Sequence, residues 1–158
     1  MVWLLRQPKG SSPNSALRDF GKDINSALIG TKTLWQGIDI PGESLRSLFI
    51  FKIPYDRPDN PIIKARCGKI DDEGGNSFTE YYEPLAALAF KQGFGRLIRK
   101  RTDTGIAIVL DENLPNKPRI LGSLPEGVSV IKAEPEQILS TLKNQEQIFS
   151  DLRSREKS

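Results

Sequence analysis

At 158 residues, with 37% hydrophobic and 27% charged residues, the chain has the composition of one soluble globular domain that can bury a core. The single cysteine and the absence of histidine exclude an intrachain disulfide, Ser-His-Asp and Cys-His catalysis, and most zinc or iron–sulfur sites. The net charge of +3 permits nucleic-acid binding without requiring it, and no apolar run suits a membrane span or a signal peptide, so we expect a cytoplasmic protein without a membrane partner.

The first half of the chain predicts short strands that alternate with a helix. Strands are predicted at residues 2–6, 27–30 and 48–53, and a helix from Asn14 or Ser15 to about residue 25. The strand at 27–30 is apolar, as in a parallel sheet that is covered on both faces.

The second half continues the alternation. Asn60 and Pro61 predict the start of a helix that ends near Gly74, and Pro84 suits the first turn of a central helix that runs to about residue 100. Strands are predicted at residues 106–111 and 128–131, and a terminal helix opens at residues 133–135. The pattern indicates an α/β fold with a mainly parallel sheet, in which ligands bind outside the carboxyl ends of the strands.

Two faces separate along the central helix. Apolar side chains recur at the i, i+4, i+7 spacing of a buried stripe: Phe90, Phe94 and Leu97. At about 100° per residue, an amide and two guanidiniums project from nearly the opposite side: Gln92, Arg96 and Arg99. The polar face of this helix is therefore the first candidate site.

Glycines interrupt the same helix at Gly93 and Gly95, each at a cost of about 1 kcal/mol relative to alanine. Close approach of another backbone or of a ligand would explain both. Guanidinium is planar, permanently charged and bidentate, so Arg96 and Arg99 beside small residues suit a phosphate chain. The same arginine spacing is also typical of a solvated helix face, and both interpretations remain open on the residues alone.

Residues 30–43 and 92–99 resemble motifs V and VI of the DinG-like branch of superfamily-two DNA helicases, which are relatives of XPD. The two motifs occur in the expected order, and the similarity covers roughly residues 4–124. The similarity continues through shorter stretches between and after the motifs: residues 52–54, 61–66, 73–76 and 104–106.

The resemblance implies a second RecA-like domain over residues 1–152 that lacks its first strand and helix, with residues 153–158 as a frayed tail. It implies that ATP with Mg²⁺ lies in a cleft against a first RecA-like domain, which belongs to a longer chain or a separate subunit. Single-stranded DNA is the implied second partner, and DNA repair the implied setting.

The resemblance also assigns roles in motif VI. Arg96 and Arg99 would be arginine fingers that face the γ-phosphate, a role worth about 10³–10⁵ in rate where it has been measured. Gln92 would lie beside them and bind the phosphate region, and Gly95 would border the nucleotide.

In motif V, Gly37 and Asp39 would complete the nucleotide site, with Asp39 near the ribose or the motif VI arginines. Local pairing of Asp39 with Arg46 is the plainer alternative. Thr31 and Lys32 would contact the DNA backbone, where a hydroxyl or ammonium group after a strand is useful.

The sequence contains no G-x-x-x-x-G-K-[ST] loop, no D-E-x-H carboxylate pair, and none of the four cysteines of the iron–sulfur module found in many XPD-like proteins. We therefore expect no iron–sulfur cluster or other metal site in this chain, and no useful ATP hydrolysis by the chain alone. Two other functions remain: a decayed, non-catalytic helicase module that binds nucleic acid or a protein, and a small α/β enzyme that uses carboxylate or lysine chemistry.

Overall fold

The computed structural model of the protein describes residues 3–6, 14–22, 26–31, 45–98 and 105–144. The chain divides into two compact units, Met1–Pro125 and Glu126–Ser158. The first unit contains strands β1 (Trp3–Arg6), β2 (Ser26–Ile29), β3 (Ser47–Ile50) and β4 (Ile106–Val109), and helices α1 (Asn14–Lys22), α2 (Pro61–Asp72), α3 (Glu83–Phe94) and α4 (Pro118–Leu121). None of the helices in these ranges is long and apolar enough to cross a membrane.

Parallel pairing, the main prediction for this fold, is found in both strand pairs. β1 pairs with β2, and β3 pairs with β4, both in parallel. Helices connect the strands within each pair, as parallel crossovers require. The predicted α/β class is confirmed, and the small parallel sheets flanked by helices are consistent with a RecA-like fold.

The β1–β2 pair is covered on one side by α1, from which Ala16 and Phe20 point into the interior with 9% and 6% of their surface exposed. Their i, i+4 spacing places both side chains on one face of the helix. The end of β2 is more open than predicted, because Ile29 is 50% exposed. The last predicted residues of α1, 23–25, lie outside the described ranges.

Both strands of the second pair are shorter than predicted, and Asp111 explains why. After β3 the chain bends at Phe51 and Lys52, and the backbone N–H of Ile53 donates to the Asp111 carboxylate at 2.9 Å. The other carboxylate oxygen accepts hydrogen bonds from the backbone N–H and the side-chain amide of Asn113, at 3.1 and 3.2 Å. The chain after each strand therefore bonds to this side chain and leaves the ladder.

Asp111 is a buried charge, with 8% of its surface exposed. Burial by itself raises the pKa of a carboxyl group, but the hydrogen bonds from Ile53 and Asn113, with a smaller contribution from the charge of Lys52, outweigh it and lower the pKa of Asp111. The carboxylate is therefore ionised at neutral pH and holds together the ends of two strands.

The core of the first unit lies between the β3–β4 pair, α3 and α4. Its buried members are apolar and come from β3, the segment after it, α3 and α4: Ile50, Ile53, Ala86, Ala87, Phe90 and Ile120. Two ion pairs of one carboxylate connect the start of α3 with α4 at the edge of this core. Glu83 at the start of α3 is 12% exposed in its side chain and lies 3.7 Å from Lys117 and 3.6 Å from Arg119.

Upstream of α3 the backbone is already helical. Residues Phe78–Tyr82 form a π-helical turn, and the N–H of Glu83 donates to the carbonyl of Phe78, five residues back. Pro84 is the second residue of α3, in the first turn as predicted. Proline has no N–H to donate, so the series of α-helical hydrogen bonds is interrupted at Pro84 in any case. The wider π-helical turn lies directly before this interruption.

The predicted extension of the central helix to about residue 100 is wrong, because α3 ends at Phe94. Gly95 is its C-cap, and after it the N–H of Leu97 bonds to the carbonyl of Phe94 at 2.9 Å in a tighter turn. The predicted bounds of α2 are correct in contrast. The Asn60 side chain accepts a hydrogen bond from Ile62 at its start, and Gly74 has a φ of 85° just past its end.

In the second unit, the predicted strand at residues 128–131 is wrong. These residues form no ladder with any described strand, and Val130 and Ile131 are 60% and 79% exposed. The terminal helix, α5, is present over residues 135–144. The predicted domain boundary at residue 152 lies outside the described ranges and stays a prediction.

We expect Asp111→Ala to lower the free energy of unfolding by about 2–4 kcal/mol, because it leaves the buried N–H of Ile53 and the amides of Asn113 without their acceptor. Urea denaturation at pH 7 measures this. Glu112→Ala, at the exposed neighbour, is the control and should change stability by less than about 0.5 kcal/mol.

The contribution of the Asp111 charge should depend on pH in one direction. Because the folded-state pKa is lowered, the charge stabilises the fold above the unfolded pKa of about 3.9 and stops doing so as the pH falls through the folded value. The stability difference between wild type and Asp111→Asn should therefore be constant between about pH 5 and 8 and shrink in more acidic solution. A difference that grows on acidification would contradict this account.

Candidate functional site

The candidate site is built around the turn that follows α3. The predicted stripe is buried, since Phe90, Phe94 and Leu97 are 1%, 7% and 4% exposed. Leu97 stays buried although the helix has ended, in a tighter turn in which its N–H donates to the carbonyl of Phe94 at 2.9 Å. The core therefore anchors this turn on both sides of Arg96.

Three of the predicted residues are brought together here. Gln92 is exposed on the last turn of α3, Gly95 is its exposed C-cap, and Arg96 is half-buried in the turn. The N–H of Arg96 donates to the carbonyl of Gly93 at 3.2 Å, so the backbone that carries the guanidinium is held by the helix end. Arg96 also takes part in a further interaction within the protein.

Gly95 has a local reason for being glycine. A β-carbon at this position would lie 3.3 Å from the carbonyl oxygen of Lys91, which is tighter than ordinary packing. The absence of a side chain thus lets the helix close with a turn at this point. It also means that no side chain stands at the position directly before Arg96.

Of the remaining predicted site residues, Thr31 alone lies within the described ranges. Thr31 is exposed and lies two residues after the end of β2, with Gly30 between them. The other positions lie outside the described ranges: Lys32, Gly37, Asp39 and Arg99. Their roles, and those of the placed residues, stay predictions.

A ligand-binding segment of a parallel sheet is expected near the carboxyl ends of the strands, but the Arg96 turn lies elsewhere. Gly105 immediately precedes β4, and Arg46 immediately precedes β3. A β-carbon on Gly105 would lie 2.5 Å from Cδ1 of Leu97 and 3.0 Å from the carbonyl oxygen of Arg46. Leu97 and the Arg96 turn therefore lie at the amino edge of this strand pair, where β3 and β4 begin, and not near the carboxyl ends as expected.

The opposite, carboxyl edge, where β3 and β4 end, carries charged groups that the sequence analysis missed. Lys52 is 72% exposed in its side chain, and its ammonium nitrogen lies 4.0 Å from Oδ1 of Asp111. The sequence did contain a signal for these groups, because an acidic residue, Asp111, directly follows the most clearly apolar strand. A carboxylate at that position lies at the edge of a parallel sheet where ligands bind.

An aromatic cluster beside α3 serves packing. Tyr55 and Tyr82 stack at 5.3 Å between ring centroids, and the ammonium of Lys117 lies 4.8 Å from the centroid of Phe78. The Tyr82 hydroxyl donates to the carbonyl of Asp56, and burial, followed by the nearby Asp56 charge, raises the pKa of Tyr82. These rings bind one another, so Tyr82 joins the loop after β3 to α3.

The comparison with known proteins is consistent with the predicted family. Residues 1–129 match the family described as "Helicase C-terminal domain". The chain is 42% identical over 103 residues to the ATP-dependent helicase DinG of Mycobacterium tuberculosis, covering 65% of this chain and 16% of that protein. It is 36% identical over 118 residues to the ATP-dependent DNA helicase YoaA of Escherichia coli, covering 73% and 19%.

A third relative, named 3'-5' exonuclease DinG in Bacillus subtilis, is 36% identical over 105 residues, which cover 66% of this chain and 11% of that protein. The chain thus spans less than a fifth of the length of each of these three relatives.

We expect Gly105→Ala to destabilise the fold by about 1–3 kcal/mol, because the new methyl group would overlap Leu97 and push the Arg96 turn away from the amino edge. Gly68→Ala is the matched control: it lies inside α2 with nothing within 4 Å, and should stabilise by about 0.5–1 kcal/mol. Denaturant unfolding of both variants measures the pair. Equal effects of the two substitutions would show that Gly105 is not closely packed.

Proposed function

Because the chain belongs to the Helicase C-terminal domain family, we propose that it acts as the second motor domain of a DinG-type ATP-dependent DNA helicase. In this function it completes an ATP site that is held mainly by a first RecA-like domain, and it contacts single-stranded DNA. The observation that carries the proposal is that the family match extends over residues 1–129 and so includes both motif segments, 30–43 and 92–99.

The geometry of the Arg96 turn supports a phosphate-binding role. Gln92 and Arg96 are about one turn apart, the backbone is held by the core, and Gly95, which has no side chain, is exposed next to Arg96. An arginine whose backbone is already held loses little further conformational entropy when it binds a phosphoryl group. More of the stabilisation from its charge is therefore available in the transition state. Arg99, three residues further on, would supply a second guanidinium.

The donor set fits phosphate and does not fit Mg²⁺. Magnesium prefers carboxylate and water oxygens, whereas Gln92, Gly95 and Arg96 offer an amide, a backbone and a guanidinium. Within the described ranges no group of three or more His, Cys, Asp or Glu side chains could hold a metal. We therefore assign Mg²⁺ and the triphosphate mainly to the first domain, where the metal would neutralise phosphate charge.

The roles of the motif V residues follow from the same proposal. Gly37 and Asp39 would border the nucleotide from this domain. Thr31, exposed after β2, and Lys32 would bind the phosphates of single-stranded DNA. Nucleotide and DNA would thus be contacted by separate short segments of one domain.

The test is ATP hydrolysis with and without single-stranded DNA, by this chain alone and after mixing with a protein that contains the first RecA-like domain. We expect magnesium-dependent turnover only in the mixture, stimulated by DNA. Arg96→Ala should lower the turnover number by about 10³-fold or more, the effect typical of arginine fingers, because charge on the transferring phosphoryl group is no longer stabilised.

The control is Arg57→Ala, at an exposed arginine that pairs with Asp59 in the loop before α2 and should leave turnover unchanged. Turnover by the purified chain alone, or full turnover by Arg96→Ala in the mixture, would contradict the proposal. If no mixture is active although the chain is folded and binds DNA, the second candidate, a non-catalytic nucleic-acid-binding module, is the better description.

A further inference from the structure

The bend that follows β3 exposes one aromatic and one positively charged side chain. Phe51 is 63% exposed and Lys52 is 72% exposed in its side chain. The residues on either side, Ile50 and Ile53, are 2% and 6% exposed. The exposure of Phe51 and Lys52 is therefore not a fraying of the chain end, because both flanking residues are fixed in the core.

The backbone on each side of this Phe51–Lys52 bend is also fixed by hydrogen bonds. Before the bend, the carbonyl of Ile50 accepts a hydrogen bond from Leu110 at 2.8 Å. After it, the N–H of Ile53 donates to Asp111 at 2.9 Å. Two consecutive residues thus carry an exposed ring and an exposed ammonium group on a fixed backbone, at the carboxyl edge where parallel sheets bind ligands.

An exposed phenyl ring next to a lysine suits a ligand with an aromatic face and a neighbouring negative charge. An unpaired nucleotide has both, since its base can stack on the ring while its phosphate meets the ammonium. In a duplex both faces of a base are already stacked, so the ring favours a single strand. A protein partner is less well matched, because lysine is depleted from the buried centres of protein interfaces.

The charges at this edge limit the strength of the phosphate contact. Asp111 is 4.0 Å from the ammonium, but its oxygens already accept hydrogen bonds from Ile53 and Asn113. Glu112 is exposed next to it. Lys52 is therefore expected to supply one phosphate contact, and stacking on Phe51 to supply the larger share of the local affinity.

We propose that Phe51 and Lys52 form a contact for one unpaired nucleotide, in which the Phe51 ring stacks on the base and the Lys52 ammonium pairs with the adjacent phosphate. The inference rests on the proposed function in so far as that function includes single-stranded DNA. It adds a base-stacking position that neither motif contains, at the edge of the β3–β4 pair opposite the Arg96 turn.

The test measures binding of this chain to a fluorescent thymidine dodecamer and to an abasic dodecamer of the same length, by anisotropy over a range of salt concentrations. Phe51→Ala should weaken binding of the thymidine oligomer about tenfold and leave the abasic oligomer unaffected. Phe51→Trp should restore or exceed wild-type binding. Lys52→Ala should weaken both oligomers and reduce the slope of log K against log salt by about one.

Two variants serve as matched controls. Phe49→Ala removes another half-exposed phenylalanine, from within β3, and Lys64→Ala removes another exposed lysine, from α2. Neither should change the affinity by more than about twofold. Thermal melts of all variants identify any that are unfolded, and Phe51→Trp keeps the inference testable if Phe51→Ala does not fold.

The outcomes separate the inference from the function on which it rests. If the wild-type chain binds neither oligomer, DNA contact by this domain is wrong and the stacking position is overturned with it. If wild type binds and the variants at positions 51 and 52 bind equally well, only the stacking position is overturned. If Phe49→Ala weakens binding as much as Phe51→Ala while Lys52→Ala has no effect, the surface is an apolar docking face, which also overturns the inference.

Discussion

The hydrogen bonds of one buried carboxylate, that of Asp111, determine where two parallel strands end and how the chain leaves them. Without this acceptor the N–H of Ile53 would be buried with no partner, and the bend after β3 would have no fixed geometry. The core beneath depends on the same contact, because Ile53 belongs to the group of buried side chains that holds α3 against the sheet. Residues 58 positions apart in the chain are joined by this one interaction.

The β3–β4 pair separates two groups of charged side chains. The Arg96 turn lies where β3 and β4 begin, beside Gly105, and Lys52 with Asp111 lies where they end. Four-residue strands rise about 3.3 Å per residue, so the two edges are about 13 Å apart. An anion bound near Arg96 and a ligand bound near Lys52 would not touch each other, and any effect of one on the other has to pass through the strands and the buried face of α3.

Sequence periodicity predicted the elements well where burial is local and repetitive. The stripe formed by Phe90 and Phe94 is visible in the spacing, and so is the start of α2 at Pro61, because capping residues act on their immediate neighbours. The prediction failed where a contact between distant residues decides. The helix ends at Phe94, and Leu97 beyond it packs close to Gly105 at the start of β4, a contact that helix propensity does not reveal. A strand at 128–131 would have needed a partner strand that no local pattern reveals. For the site, the motif resemblance named Gln92 and Arg96, but neither the burial of Asp111 nor the exposure of Phe51 can be read from residue type alone.

The π-helical turn before α3 has a consequence for how this domain can vary in length. Its hydrogen bond from Glu83 to Phe78 spans one residue more than an α-helical turn does, so the turn absorbs one residue without rotating the helix that follows. Deletion of one residue between Phe78 and Tyr82 would convert the segment to a regular α-turn and leave Ala86 and Phe90 facing the core. Deletion of a single residue is therefore tolerated more readily here than inside α3, where it would turn the buried stripe by about 100° towards solvent.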